Sequence, residues 1–121
     1  MRACLLLPLL AACSHVAPAP PAAPAGALPV DAVLQQAQTL KQQTIRVSGR
    51  YAGWQGRCSS GPPISRSDWM VHGETGCIYA HGHLPAGFSL PPQPADIGRP
   101  IEVRARLQFD HRGQPYLDVV Q

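Results

Sequence analysis

Trp54, Arg57, Arg66, Trp69, His111 and Arg112 are the side chains of this chain best equipped to hold a ligand. A guanidinium meets an anion with a planar fork of donors, and an indole offers a flat face for stacking. Two of the arginines lie between the two tryptophans, so one loop could carry both kinds of contact. Catalysis has no comparable support. There is no G-x-S-x-G elbow, P-loop or H-E-x-x-H, no carboxylate pair at a recognisable spacing, and the five histidines are scattered. The expectation is a protein that recognises rather than reacts, is not an enzyme and needs no cofactor. Cys4, Cys13, Cys58 and Cys77 remain to be assigned, and four cysteines in a short chain ordinarily suggest two disulfides.

Residues 1–12 have the three parts of an export signal: a basic start at Arg2, an apolar run with Leu5, Leu6, Leu7, Leu9 and Leu10, and small residues at Ala11 and Ala12. The run is too short to cross a bilayer as a helix, which takes roughly 20 residues. Leu10, Ala11, Ala12 and Cys13 resemble the lipobox of bacterial lipoproteins position for position. The resemblance implies that the peptide before Cys13 is removed and that Cys13 carries a thioether-linked diacylglycerol and an acylated amine. Such an anchor is in effect permanent. Ser14, in place of an aspartate, points by analogy to the outer membrane facing the periplasm. The alternative is an ordinary secretory signal, cut further on, that discards Cys13.

With Cys4 lost and Cys13 lipidated, Cys58 and Cys77 are left in an oxidising compartment, where the expectation is that they pair. The competing use is a metal site of Cys77, His81 and His83, since residues 77, 79, 81 and 83 share one side of a strand. The spacing matches no paired C-x-x-C zinc pattern, and no metal is expected.

Those residues need elements to position them. Residues 13–29 follow as Cys13 and a stretch dominated by alanine and proline between His15 and Pro29, which reads as a polyproline II stalk. Val30, Val33, Leu34, Ala37 and Leu40 recur at helical spacing, with Asp31 early and Lys41 late, which predicts one amphipathic helix over 30–43 packed on the domain after it. From residue 44 the period becomes that of strands. Ile45 and Val47 alternate with Arg46 and Ser48, and Gly49 and Gly53 suit a strongly bent strand. Residues 69–72 and 77–80 form a predicted hairpin in which Trp69 and Val71 share one side and Met70, His72, Cys77 and Tyr79 the other. Ile101, Val103, Ala105, Leu107 and Phe109 alternate with polar residues, and a final strand follows the turn at 111–114. Five strands within residues 44–121 indicate an all-β fold, a small barrel preceded by one short helix.

The stretches GRYAGW, SRSDWMVHGETGCIYAHG and IGRPIEVRARL, in that strand order, resemble the OB-fold domains of exported and archaeal proteins related in shape to nucleic-acid binders. The resemblance covers roughly residues 44–121 and implies a binding surface on the second and third barrel strands and on the first-to-second and fourth-to-fifth strand loops. Arg57 and Arg66 would lie in the first loop and His111 and Arg112 in the second, with Trp54 and Trp69 flanking the first. The helix usual between the third and fourth strands is opposed here by the prolines of LPAGFSLPPQPADIGR. Trp69 alternates with Val71 and reads as core before platform, whereas Trp54 at a strand end reads equally as either.

Nine basic side chains face seven acidic ones once Arg2 has left, a weak excess for a nucleic-acid binder. The expected role is therefore a non-catalytic binding or assembly module for an envelope protein or polymer, tethered through Cys13. An oligonucleotide-binding module and a structural accessory subunit of an envelope complex are the alternatives.

Overall fold

The computed structural model describes residues 26–120. The expected export signal, Cys4, the lipobox with Cys13 and the stalk up to residue 25 lie outside the described residues. The two-residue β1 (Leu28–Pro29) leads into α1 (Val30–Gln35) and α2 (Ala37–Leu40), followed by β2 (Thr44–Gly53), β3 (Trp69–His72), β4 (Cys77–His81), β5 (Pro100–Phe109) and β6 (Pro115–Val119). Five of these strands close a barrel. β2 pairs antiparallel with both β3 and β5, β3 pairs with β4, β4 runs parallel to β6, and β6 returns antiparallel to β5. Closure leaves none of the five with a free edge.

Alternation along the strands fills the interior. Ile101, Val103, Ala105 and Leu107 of β5 are buried, whereas Glu102, Arg104 and Arg106 are exposed. Ile45, Val47 and Tyr51 of β2 join them, with Trp69 and Val71 of β3, Ile78 and Ala80 of β4 and Leu117 of β6. The hairpin register sets Trp69 against Ala80 and Val71 against Ile78. Gly49 lets β2 bend hard against its neighbour: a Cβ there would lie 2.6 Å from the His72 carbonyl oxygen and from Val71 Cγ1. A bulge between Tyr51 and Gly53 then shifts the β2–β3 register.

The single helix expected over 30–43 is instead two short segments that end at Leu40. They part at Gln36, whose φ of −111° departs from helical geometry. The apolar face survives the break, because Val30, Val33, Ala37 and Leu40 are buried in the same cluster as the barrel interior. Asp31 fastens α1 to the β3–β4 turn, accepting hydrogen bonds from Thr75 N (3.0 Å), Thr75 Oγ1 (3.1 Å) and Gly76 N (2.8 Å). The backbone donors of Thr75, then of Gly76, hold the Asp31 carboxyl below its ordinary range. Between β4 and β5 the one helical turn among the described residues is a 3-10 turn, Pro94–Asp96. Phe88 of this segment packs edge-on against Tyr51, with centroids 5.2 Å apart.

Cys58 and Cys77 are joined in a disulfide, 5.0 Å apart at Cα. Cys77 is therefore unavailable as a thiolate ligand for His81 and His83. Among the described residues no group of three His, Cys, Asp or Glu side chains could hold a metal ion.

Candidate functional site

The strands themselves explain why the site differs from the one expected. Trp69–Met70–Val71 and Ile78–Tyr79–Ala80 are buried at every position, so both faces of β3 and β4 are covered. Trp69, Val71, Ile78 and Ala80 face the interior. Met70 and Tyr79 face outward and, with Tyr116 of β6 and Ala52, form a second apolar cluster against which Cys58 and Cys77 pack. The cover is the chain's own loop, residues 54–68.

Four attachments hold that loop down. The disulfide joins Cys58 to β4. The Arg57 backbone N–H donates to His72 Nε2 at 2.8 Å. Arg112 Nη2, in the β5–β6 turn, donates to the Gly61 carbonyl at 3.1 Å. At the far end, Asp68 is 2% exposed and fully engaged. Its Oδ2 accepts from Ile64 N (2.7 Å) and Ser65 N (2.8 Å), and its Oδ1 contacts Ser65 Oγ (3.1 Å) and His81 Nδ1 (2.6 Å). This buried acid anchors the loop, and the sequence reading did not single it out.

The six residues chosen from sequence are thereby dispersed. Trp69 is fully buried, its indole N–H donating to the Gly82 carbonyl at 3.1 Å, and it offers no stacking face. Arg112 is turned toward Gly61 and toward Asp110, whose carboxylate lies 3.7 Å away. Arg66 and His111 are exposed on separate loops. Trp54 remains 46% exposed. Arg57 alone reaches a concavity rich in donors.

That concavity is a groove of about 560 Å³ across the outside of β2, lined by Arg50, Arg57, His72, Glu74, Gly98 and Pro100 among others. Arg50 comes from the bent middle of β2 and His72 from the end of β3, set opposite each other by the strand register. One arm of Arg50 donates to the Gly98 carbonyl at 3.1 Å. Neither Arg50 nor Arg57 is in an ion pair among the described residues. Burial first, and then the Arg57 charge, push the His72 pKa below its ordinary value of 6.5. Nε2 accepts from Arg57 N–H, so the ring in this structure is neutral and its proton sits on Nδ1. Two arginines and a histidine thus line one concavity, with Glu74 the one acid in the lining.

Comparison with family models, with curated proteins and with solved structures returns no match to this chain.

The lowered His72 pKa has a stability consequence whose sign is fixed. Protonating Nε2 removes the acceptor for Arg57 N–H, so the contribution is complete above the unfolded-state value of 6.5 and is lost as pH falls through the lower folded value. Urea unfolding should show a midpoint that drops between about pH 7.5 and about pH 5, the interval in which an ordinary histidine titrates. In His72→Leu that component should shrink; an unchanged slope in the variant would exclude His72 as its source.

Proposed function

We propose that this chain is a bacterial envelope lipoprotein, anchored through Cys13, whose OB-type barrel binds an anionic envelope component in the Arg50–Arg57–His72 groove without catalysing a reaction. The barrel order supports the OB-type reading. Of the five barrel strands, the first lies between the second and the fourth, and the third runs parallel to the fifth, as in a five-stranded Greek-key barrel. The observation that carries the binding reading is that Arg50 and Arg57, neither in an ion pair among the described residues, line with His72 one groove of about 560 Å³. Uncompensated arginines on a concave surface suit a planar carboxylate or a phosphate.

The surface on which OB modules usually take oligonucleotides is β3 with β4, and here it lies under the loop 54–68. Tyr79 on that surface is 7% exposed, and Tyr116 beside it on β6 is 9% exposed. Covered aromatics and a small charge excess favour an envelope partner over nucleic acid. In the described residues no helix is long and apolar enough to cross a membrane, and the proposed attachment is the lipid on Cys13.

Each half of the proposal has its own test. Growth of the producing cells with an alkyne fatty acid should label the wild-type protein and place it in the membrane fraction, whereas Cys13→Ser should lose the label and leave that fraction. Equal labelling of both would contradict lipidation at Cys13. For the groove, Arg50→Gln with Arg57→Gln should abolish saturable binding of a polycarboxylate; retention would contradict the assignment.

A further inference from the structure

Three and two residues before Arg57, Trp54 and Gln55 line a second concavity of about 170 Å³, completed by Pro91, Pro92, Pro94 and Ile97. Ile97 is followed by Gly98, which lines the cationic groove. The two concavities are therefore near neighbours along the chain on two walls, Gln55 with Arg57 and Ile97 with Gly98. Their chemistries differ: donors without counter-ions on one side, an indole and proline rings on the other.

The second concavity is a built feature. Gly53 stands at φ +58°, and a Cβ there would lie 2.8 Å from Pro92 Cβ and 3.0 Å from Ile97 Cδ1, so the proline wall rests directly on the β2 backbone. The Trp54 indole N–H is directed toward the Ser67 carbonyl at 3.4 Å. The ring nonetheless remains 46% exposed, and Ile97 40%. Proline walls offer no donors, so polar contacts from this side fall to Gln55.

Size and charge narrow the occupant. A volume of about 170 Å³ falls below the roughly 300–1,000 Å³ of drug-sized pockets and suits one ring-sized unit. A pyranose ring presents a C–H face to an indole and hydroxyls to an amide, and a carboxylate on that unit or the next suits the arginines of the neighbouring groove. Glu74, on the groove wall, can accept from a sugar hydroxyl but would repel a closely spaced polyphosphate backbone. One exposed indole is also a short platform for successive nucleobases.

We infer that the ligand is an acidic glycan, with a sugar ring stacked on Trp54 and its anionic group held by Arg50, Arg57 and His72. This rests on the groove assignment proposed above and adds to it the class of ligand. The test uses the full lipidated chain in detergent micelles. Four probes are titrated by calorimetry and tryptophan fluorescence: a hexauronate oligosaccharide, a neutral oligosaccharide of equal length, polyglutamate and a single-stranded oligonucleotide. The hexauronate should bind saturably and more tightly than the neutral sugar. Trp54→Ala should weaken it roughly tenfold or more while leaving polyglutamate unchanged, and Arg57→Gln should weaken both. Equal binding of hexauronate and polyglutamate, untouched by Trp54→Ala, would overturn the glycan inference and leave the groove standing. No binding of any polyanion would overturn both. Preference for the neutral sugar would exclude the cationic groove, and tighter, Trp54-dependent binding of the oligonucleotide would assign the surface to nucleic acid. Trp54 is a surface side chain, and near-ultraviolet circular dichroism of the variant should match wild type.

Discussion

Replacing Asp68 by alanine should destabilise the protein more than any other single change on its surface loops, by about 3 kcal/mol or more, measured as a fall in the urea midpoint at neutral pH. The cause is the number of groups that one carboxylate serves. Asp68 is 2% exposed, and its removal strips the acceptor from Ile64 N, Ser65 N, Ser65 Oγ and His81 Nδ1 together. A hydrogen bond to a charged acceptor is worth about 1.5–3 kcal/mol, and a buried donor left without a partner costs a further share. Losing several such bonds at once, discounted for water entering the site and for the 35% exposed His81 side chain, brings the expectation to about 3 kcal/mol. Asp68→Asn should fall between, since an amide oxygen can still accept from part of the set. A loss below about 1 kcal/mol for the alanine variant would mean that the loop is not anchored at Asp68.

Removing the disulfide by Cys58→Ser with Cys77→Ser should cost a comparable amount and also change what the protein exposes. The two cysteines are 19 residues apart in sequence. Closing a loop of that length constrains the unfolded chain by about 3 kcal/mol in the chain-entropy estimate. Small barrels have little core to absorb such a loss. Because Cys58 is the attachment nearest the Met70–Tyr79–Tyr116 cluster, its release should loosen the cover over that face. The expected results are a lower melting temperature, new binding of a hydrophobic dye below the melt, and faster exchange of amides in residues 55–67. A lower melting temperature with no dye binding would show that Asp68, His72 and Arg112 suffice to keep the loop closed.

Much of the fold was legible because it rests on short-range patterns. The alternation of Ile101 to Leu107 and the glycine-bounded hairpin of β3 and β4 depend on side-chain period and turn chemistry. The pairing of Cys58 with Cys77 followed from compartment and counting. The helix break at Gln36 was not legible, since no proline or glycine marks it.

The covered face left a readable trace that was not used. Trp69–Met70–Val71, Ile78–Tyr79–Ala80 and Tyr116–Leu117 are consecutive apolar residues, the signature of strands buried on both faces. Taken at that value, they would have moved the expected ligand surface away from β3 and β4. Arg50 and His72 were missed for a different reason. They meet only through the β2–β3 register, which shifts at the Tyr51–Gly53 bulge and has no local signal in the sequence. Arg57 was found because it sits in the loop flanked by Trp54 and Trp69, and of the six residues chosen from sequence it is the one that lines the cationic groove.

The most direct test of groove binding is calorimetric titration of the full chain with a polycarboxylate at low and near-physiological salt, comparing wild type, Arg50→Gln with Arg57→Gln, and Arg66→Gln with Arg104→Gln. Saturable wild-type binding that weakens with salt, is lost in the Arg50 and Arg57 pair and is kept in the Arg66 and Arg104 pair is the expected result. Equal losses in both pairs, or binding untouched by the first, would contradict a specific anion site in the groove.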